Sequence, residues 1–106
     1  MDIQITARKI EIAQDLREEI GEKLAKLEKF NPRAKSLEAV IRAEDRRVDC
    51  ELIIHIENHG SVVIEVSGDT IQAAVDIACG KAERQLRKGK ERERESVRRR
   101  AAPRDE

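Results

Sequence analysis

Apolar and polar positions change their spacing along this chain, and each change marks an element. Ile3, Ile5 and Ala7 alternate with Asp2, Gln4 and Thr6, the two-residue period of a half-buried strand. From Ala13 to about Phe30 the period lengthens. Leu16, Ile20, Leu24 and Leu27 recur at i, i+4, i+8 and i+11, which places them on one stripe of a helix facing a core. Asn31-Pro32 stops that helix, because proline cannot continue the hydrogen-bond ladder and disfavours helix in the residue before it. Leu37, Ala39, Ile41 and Ala43 then alternate with Ser36, Glu38, Val40 and Arg42. After the charged bend Glu44-Asp45-Arg46-Arg47 come Val48, Cys50, Leu52, Ile54 and Ile56, which predicts the two strands of a hairpin. Asn58-His59-Gly60 makes the next turn, Val62, Ile64 and Val66 face inward on a fourth strand, and Ser67-Gly68-Asp69-Thr70 supplies the cap of a second helix. That helix buries Ile71, Ala74, Ala78, Ala82 and Leu86.

The predicted order is β-α-β-β-β-α. It gives an α+β two-layer sandwich, a four-stranded sheet with both helices on one face. The other face is open and shows Asp2, Glu38, Asp49, Glu51, Glu57 and Glu65 against a lone Arg42, so it should repel nucleic acid. Val40, Ile53 and Val63 also point there and make a small apolar seam if they are adjacent. Gly80 and Gly89 interrupt the second helix at about 1 kcal/mol each relative to Ala, so its end beyond Lys88 is expected to fray. The ordered domain is expected over residues 1–95. Residues 96–106, without periodicity and rich in Arg, read as a disordered basic tail.

With 106 residues the chain has room for one two-layer core and not for two. Phe30 is the only aromatic residue, with no Tyr or Trp, which nearly excludes base-stacking readout of the RRM or OB kind. Any nucleic acid is therefore to be met through phosphates and shape. No apolar run approaches the ~20 residues of a membrane helix, and Met1-Asp2-Ile3-Gln4 lacks the basic and apolar regions of a signal peptide. A cytoplasmic protein without a membrane partner is expected. Cys50 and Cys79 belong to no Cys-x-x-Cys pair and read as buried free thiols. His55 and His59 straddle the end of a strand and a turn with no third ligand, so neither a metal nor a cofactor is expected. No nucleophile elbow, phosphate loop or Cys/His dyad is present, so no enzyme activity is expected.

The charge is polarised although it sums to zero. Residues 1–79 hold 11 Lys and Arg against 16 Asp and Glu, and residues 80–106 hold 11 against 6. Local field rather than total charge sets encounter with a polyanion. At about 100° per residue, Lys81, Arg84, Lys88 and Arg92 fall within about 80° of one another on one shoulder of the second helix. Lys23, Lys26 and Lys29 step down a shoulder of the first. Were the helices side by side, two cationic rows would line a groove as wide as a nucleic-acid backbone. On charge alone a solvated face laced with i,i+4 ion pairs to Glu18, Glu19, Glu22, Glu28, Glu83 and Glu91 is an equal alternative.

Four stretches are more specific: Ile5-Thr6-Ala7-Arg8 followed by Leu16-Arg17; Glu22-Lys23-Leu24-Ala25-Lys26-Leu27-Glu28-Lys29-Phe30; Ala73-Ala74-Val75-Asp76; and Lys81-Ala82-Glu83-Arg84-Gln85-Leu86-Arg87-Lys88. Together they resemble the ribosome hibernation-promoting factor family, also called ribosome-associated inhibitor or sigma-54 modulation proteins, over about residues 1–91. The resemblance implies the same β-α-β-β-β-α order, similar to a double-stranded-RNA-binding domain with an added strand. It also implies a non-enzymatic stress and stationary-phase factor that occupies the decoding channel of the small ribosomal subunit. There it would contact 16S rRNA and exclude mRNA and tRNA, inhibiting translation and promoting hibernation of the 70S ribosome. By matching position it assigns rRNA binding to Lys23, Lys26, Lys29, Lys81, Arg84, Arg87, Lys88 and Lys90.

The sequence departs from the family pattern at three places. Gln72 stands where many relatives carry an aromatic residue, and Ala13 where many have a capping Thr or Ser, whose loss costs about 1 kcal/mol. Gly89 and the alternating Glu91-Arg92-Glu93-Arg94-Glu95 dilute the end of the basic run. The chain stops before the C-terminal dimerisation domain of the family's long members, so it resembles a short form, expected to be a monomer when free and to take no small-molecule substrate. The alternative function is a protein-binding regulator acting through the open sheet face at Val40, Ile53 and Val63.

Overall fold

The alternating segments pair into one sheet in the order β1-β2-β3-β4, formed by β1 (Asp2–Arg8), β2 (Ala34–Ala43), β3 (Val48–Ile56) and β4 (Gly60–Gly68). The computed structural model describes the backbone of residues 1–101 and the side chains of residues 1–90. Helix α1 (Gln14–Ala25) and a 3-10 segment (Lys26–Phe30) connect β1 to β2, and α2 (Ile71–Ala101) follows β4. The crossover through α1 makes β1 and β2 parallel, as a connection of that length allows. The two hairpins make the remaining pairs antiparallel.

Register turns the alternation into a core. Ile3 lies opposite Leu37, Ile5 opposite Ala39 and Ala7 opposite Ile41. The rows continue through Ile54, Leu52 and Cys50 on β3 to Val62, Ile64 and Val66 on β4. One face of the sheet is thus apolar, and α1 packs over β1 while α2 packs over β3 and β4. Leu24, Leu37, Ile41, Leu52, Ile54 and Leu86 are fully buried between the layers. Val75 joins Ala74, Ala78, Ala82 and Leu86 on the buried stripe of α2, and Ile71 and Leu16 pack at the margin.

The first helical stretch is not one α-helix. It tightens at Lys26 into the 3-10 segment, whose cap residue Asn31 donates its backbone N–H to Glu28 O at 3.2 Å. The chain must leave the helix at Asn31-Pro32, and i→i+3 bonds satisfy the last carbonyls as it does so. Asn31 is buried. Its Nδ2 donates to the Leu86 carbonyl at 3.4 Å, and its Oδ1 accepts the Arg33 N–H at 3.0 Å, tying this exit to α2. Ala13 stands at the start of α1 without a side-chain cap, as its methyl requires.

At the other junction Thr70 Oγ1 accepts the Ala73 N–H at 3.1 Å and caps α2. Gly68 permits the approach, since a Cβ there would lie 2.6 Å from the Ala74 nitrogen. Helix α2 then runs to Ala101, past Gly89 and Glu95, where the sequence reading places fraying and then a tail. Arg, Lys and Glu are good helix formers, and no proline interrupts them before Pro103. Residues 102–106 of the expected tail lie outside the described residues.

Candidate nucleic-acid interface

The basic side chains lie on the helical layer, in two groups. Lys23 is near the end of α1 and is half-buried. Its Nζ donates to Asp76 Oδ1 of α2 at 2.9 Å, and this hydrogen bond raises the lysine's pKa above its ordinary value. Lys26 and Lys29 follow on the 3-10 segment, where residues three apart eclipse, so both project in the same direction. Lys29 Nζ stands 5.2 Å from the centre of the Phe30 ring and Arg87 Cζ 4.8 Å from it, cation–π distances. Arg87 Nη2 also donates to Glu83 Oε1 at 2.8 Å. Phe30 therefore binds the two helical elements together with one cation from each.

The groove between these elements, of about 310 Å³, has Lys23, Lys26, Lys29 and Phe30 on one wall and Asp76, Cys79, Gly80 and Glu83 on the other. The expectation of two facing cationic rows is corrected here. At about 100° per residue, Lys81 lies roughly 140° around α2 from Asp76, and Lys81, Arg84 and Lys88 occupy the shoulder turned away from α1. Lys81 borders a cleft shared with Val66 and Ser67 of β4. Arg84 and Arg87, about 60° apart, straddle the outer ridge of α2. The cations thus spread from the 3-10 segment over that ridge to its far shoulder, interrupted by Asp76 and Glu83. Lys26, Lys81, Arg84 and Lys88 are exposed and Lys90 is half-buried. None of these five forms an ion pair with another described residue.

The opposite, open face is acidic but less uniformly than expected. Arg8 on β1 stands in register with Arg42, and Arg47 Nε donates to Asp49 Oδ1 at 2.9 Å, so Arg42 is not the lone cation there. Glu57 lies just past β3, where its carboxylate is 3.4 Å from Lys35 Nζ. The Ser67 hydroxyl and Arg47 together hold the Asp49 carboxyl below its usual value. Glu51 lies directly across from Glu65, and sharing a hydrogen bond with that carboxyl, then partial burial, pushes its pKa up. Ile53 is paired with Val63, while Val40 lies opposite Glu51 and only diagonal to Ile53, so the adjacent part of the apolar seam is the Ile53–Val63 pair.

Both cysteines are free, Cys50 buried and Cys79 half-buried. Burial pushes the Cys50 thiol up to about 12 and raises that of Cys79, the direction of inert thiols. His55 Nδ1 shares a hydrogen bond with Ser61 Oγ at 2.8 Å, and His59 Nε2 accepts from Arg33 Nη1 at 3.3 Å. The two rings therefore engage different neighbours. Phe30 and Asp76 were not legible as parts of this surface, since Asp76 meets Lys23 across 53 positions of chain, whereas Glu83 makes with Arg87 an i,i+4 pair of the kind the sequence offered. Only the singularity of Phe30 in the composition marked it.

The family model described as Sigma 54 modulation protein / S30EA ribosomal protein matches residues 3–94. The ribosome hibernation promoting factor of Escherichia coli K12 is 32% identical over 92 residues, which cover 87% of this chain and 96% of that protein. Its namesake from Pseudomonas putida KT2440 is 29% identical over 93 residues, 88% and 90% of the two chains. Among solved structures, the N-terminal domain of Thermus thermophilus Protein Y superposes with a TM-score of 0.74 at 23% identity, over 83% of this chain and 98% of that one. A ribosomal subunit interface protein from Coxiella burnetii gives 0.78 at 21%, over 85% and 98%. These two likenesses show the shared α+β fold.

Proposed function

The chain belongs to the sigma 54 modulation protein / S30EA ribosomal protein family, and we propose that it is a cytoplasmic, ribosome-associated hibernation factor that regulates translation. In this reading it occupies the decoding channel of the small subunit, holds 16S rRNA phosphates and keeps mRNA and tRNA out. The observation that carries it is the run of cations without ion pairs along the 3-10 segment and α2. These two elements present Lys26, Lys81, Arg84 and Lys88 without intramolecular ion pairs among the described residues, while α1 exposes Glu18, Glu19 and Glu22 and the sheet face presents Glu38, Glu51 and Glu65. A preformed cationic surface needs no base readout, and phosphate contacts supply most of the affinity of such a complex. Lys26 and Lys29 act from the 3-10 segment, and Lys81, Arg84 and Lys88 from the far shoulder of α2. Arg87 lies between them, held by Phe30, and Lys23 and Lys90 complete the set.

Replacing Lys26 and Arg84 together by Glu tests this reading. The double variant is expected to stay folded by circular dichroism and to leave the 30S fraction in co-sedimentation. Retained binding would overturn the assignment. Because the two residues belong to different groups, each single variant reports on its own half of the surface. A second reading, a protein-binding regulator, draws on the open-face residues Val40, Ile53 and Val63, of which Ile53 and Val63 are paired. Salt separates the two, since counterion competition weakens phosphate binding steeply and leaves an apolar contact in place.

A further inference from the structure

The two edges of the sheet are finished differently. On β1, Arg17 of α1 donates Nη1 to the carbonyl oxygen of Ile5 at 2.7 Å, so a side chain from the helical layer occupies that edge. Strand β4 pairs with β3 along its whole length, from Gly68 opposite Val48 to Gly60 opposite Ile56. It has no strand on its other side among the described residues. It also lacks the devices that keep edge strands from pairing: no proline, no lysine and no shift in register, with Glu65 its only charge. Nine residues of extended backbone present their outer amides and carbonyls.

What surrounds this edge has a definite chemistry. Among the described residues the large hydrophobic side chains left exposed are Val63 (57%) and Ile77 (44%). Val63 projects from β4 on the open face, and Ile77 projects from α2, which packs on the other face. Ile77 and Lys81 border, on the helical side, a cleft of about 990 Å³ that reaches Val66 and Ser67 of β4 and, on the open-face side, Glu51 and Glu65. Arg84 continues the same shoulder of α2, one turn on.

We propose that the β4 edge is a docking site for an extended, acidic polypeptide segment that adds a fifth strand to the sheet. Main-chain hydrogen bonds to β4 give the register, an aliphatic side chain meets Val63, and carboxylates reach Lys81 and Arg84. Charge selects this occupant. Pairing of β4 with β4 of a second copy across a two-fold axis brings the Lys81 and Arg84 side chains of both copies into one interface, where like charges repel. A basic side chain on the helical side meets the same repulsion, and carboxylates on the open side meet Glu65. The segment therefore places its acids towards α2 and its aliphatic side chains beside Val63. A nucleic acid has no peptide groups with which to extend a sheet. The inference stands apart from the ribosome reading, but both use Lys81 and Arg84. An acidic strand and rRNA therefore compete for this shoulder.

The test uses the full chain, labelled with ¹⁵N and titrated with a synthetic peptide of five Glu-Val repeats. The same length of Lys-Val repeats and a Glu-Val peptide carrying prolines serve as comparators. The acidic peptide is expected to shift the amide signals of residues 61–67 and slow their hydrogen exchange, and the comparators are not. Replacing Lys81 and Arg84 by Glu is expected to weaken the acidic peptide about tenfold. Equal binding of the Lys-Val peptide, shifts confined to residues outside β4, or no response at millimolar peptide would overturn the proposal. So would protection of the same amides in a dimer of the free protein, or by poly(U), since either gives the edge to a different occupant.

Discussion

Single residues decide the two tightest places in the fold. At Gly68 a methyl group would collide with the backbone of Ala73 and Ala74, atoms that cannot rotate out of the way. Gly68→Ala is expected to lower stability by about 1–3 kcal/mol, as overpacking of a fixed site does, read as a lower urea midpoint with an unchanged m-value. At the open face Glu51 and Glu65 sit directly opposite each other, a like-charge pair that destabilises a sheet. The folded pKa of Glu51 lies above its unfolded value, so the folded state binds the extra proton. The repulsion is fully present above the folded pKa and is relieved as pH falls through it towards the unfolded value. Glu51→Gln is expected to raise the neutral-pH melting temperature by about a degree or two, since an exposed pair is worth only a few tenths of a kcal/mol after solvent screening. It should also remove the gain on mild acidification, which melting curves collected from neutral pH down to the carboxylate range would reveal. Asp49 has the opposite sign. Its pKa is lowered by Ser67 and Arg47, so its contribution is lost as pH falls through that lowered value.

At the scale of elements, α1 with its 3-10 extension is joined to α2 by a few cross-links that also govern the charge they display. The Lys23–Asp76 pair and the Phe30 ring between Lys29 and Arg87 hold the two elements together. They have different consequences for a polyanion. Asp76 places a negative charge on the groove wall and ties up Lys23. Asp76→Asn should free that lysine and tighten binding to 30S subunits by about two- to fivefold, measured by co-sedimentation at fixed salt, with little change in the melting curve. Phe30→Leu keeps the apolar contact but loses the ring face, so Arg87 keeps only its Glu83 pair and loses its tie to the 3-10 segment. Weaker ribosome binding with nearly unchanged stability is the expected result, because exposed cation–π contacts contribute only about 0.5–1 kcal/mol.

For the molecule as a whole, the cations along the 3-10 segment and α2 would set its orientation on a polyanion and make affinity depend on salt. If about five phosphates are neutralised, ribosome affinity should fall roughly 10²–10³-fold between 50 and 200 mM salt, and a flat salt profile in a sedimentation titration would count against the phosphate reading. The sequence by itself determined the order of strands and helices, the buried faces of the strands and most of the two helical stripes, though not Val75 or the change to a 3-10 segment at Lys26, because alternation and helical spacing are local consequences of burying one side. Thr70 as a cap and Asn31-Pro32 as a stop were legible for the same reason, since capping and proline chemistry act within a few residues. Tertiary structure alone decided how α1 and α2 are rotated against each other. That rotation set Asp76 and Glu83 in the groove, turned Lys81, Arg84 and Lys88 to the far shoulder, brought Arg8 beside Arg42, and left β4 with a bare edge beside Ile77. Each of these depends on contacts between residues distant in the chain, and the spacing within one element carries no information about which neighbour its shoulder will meet.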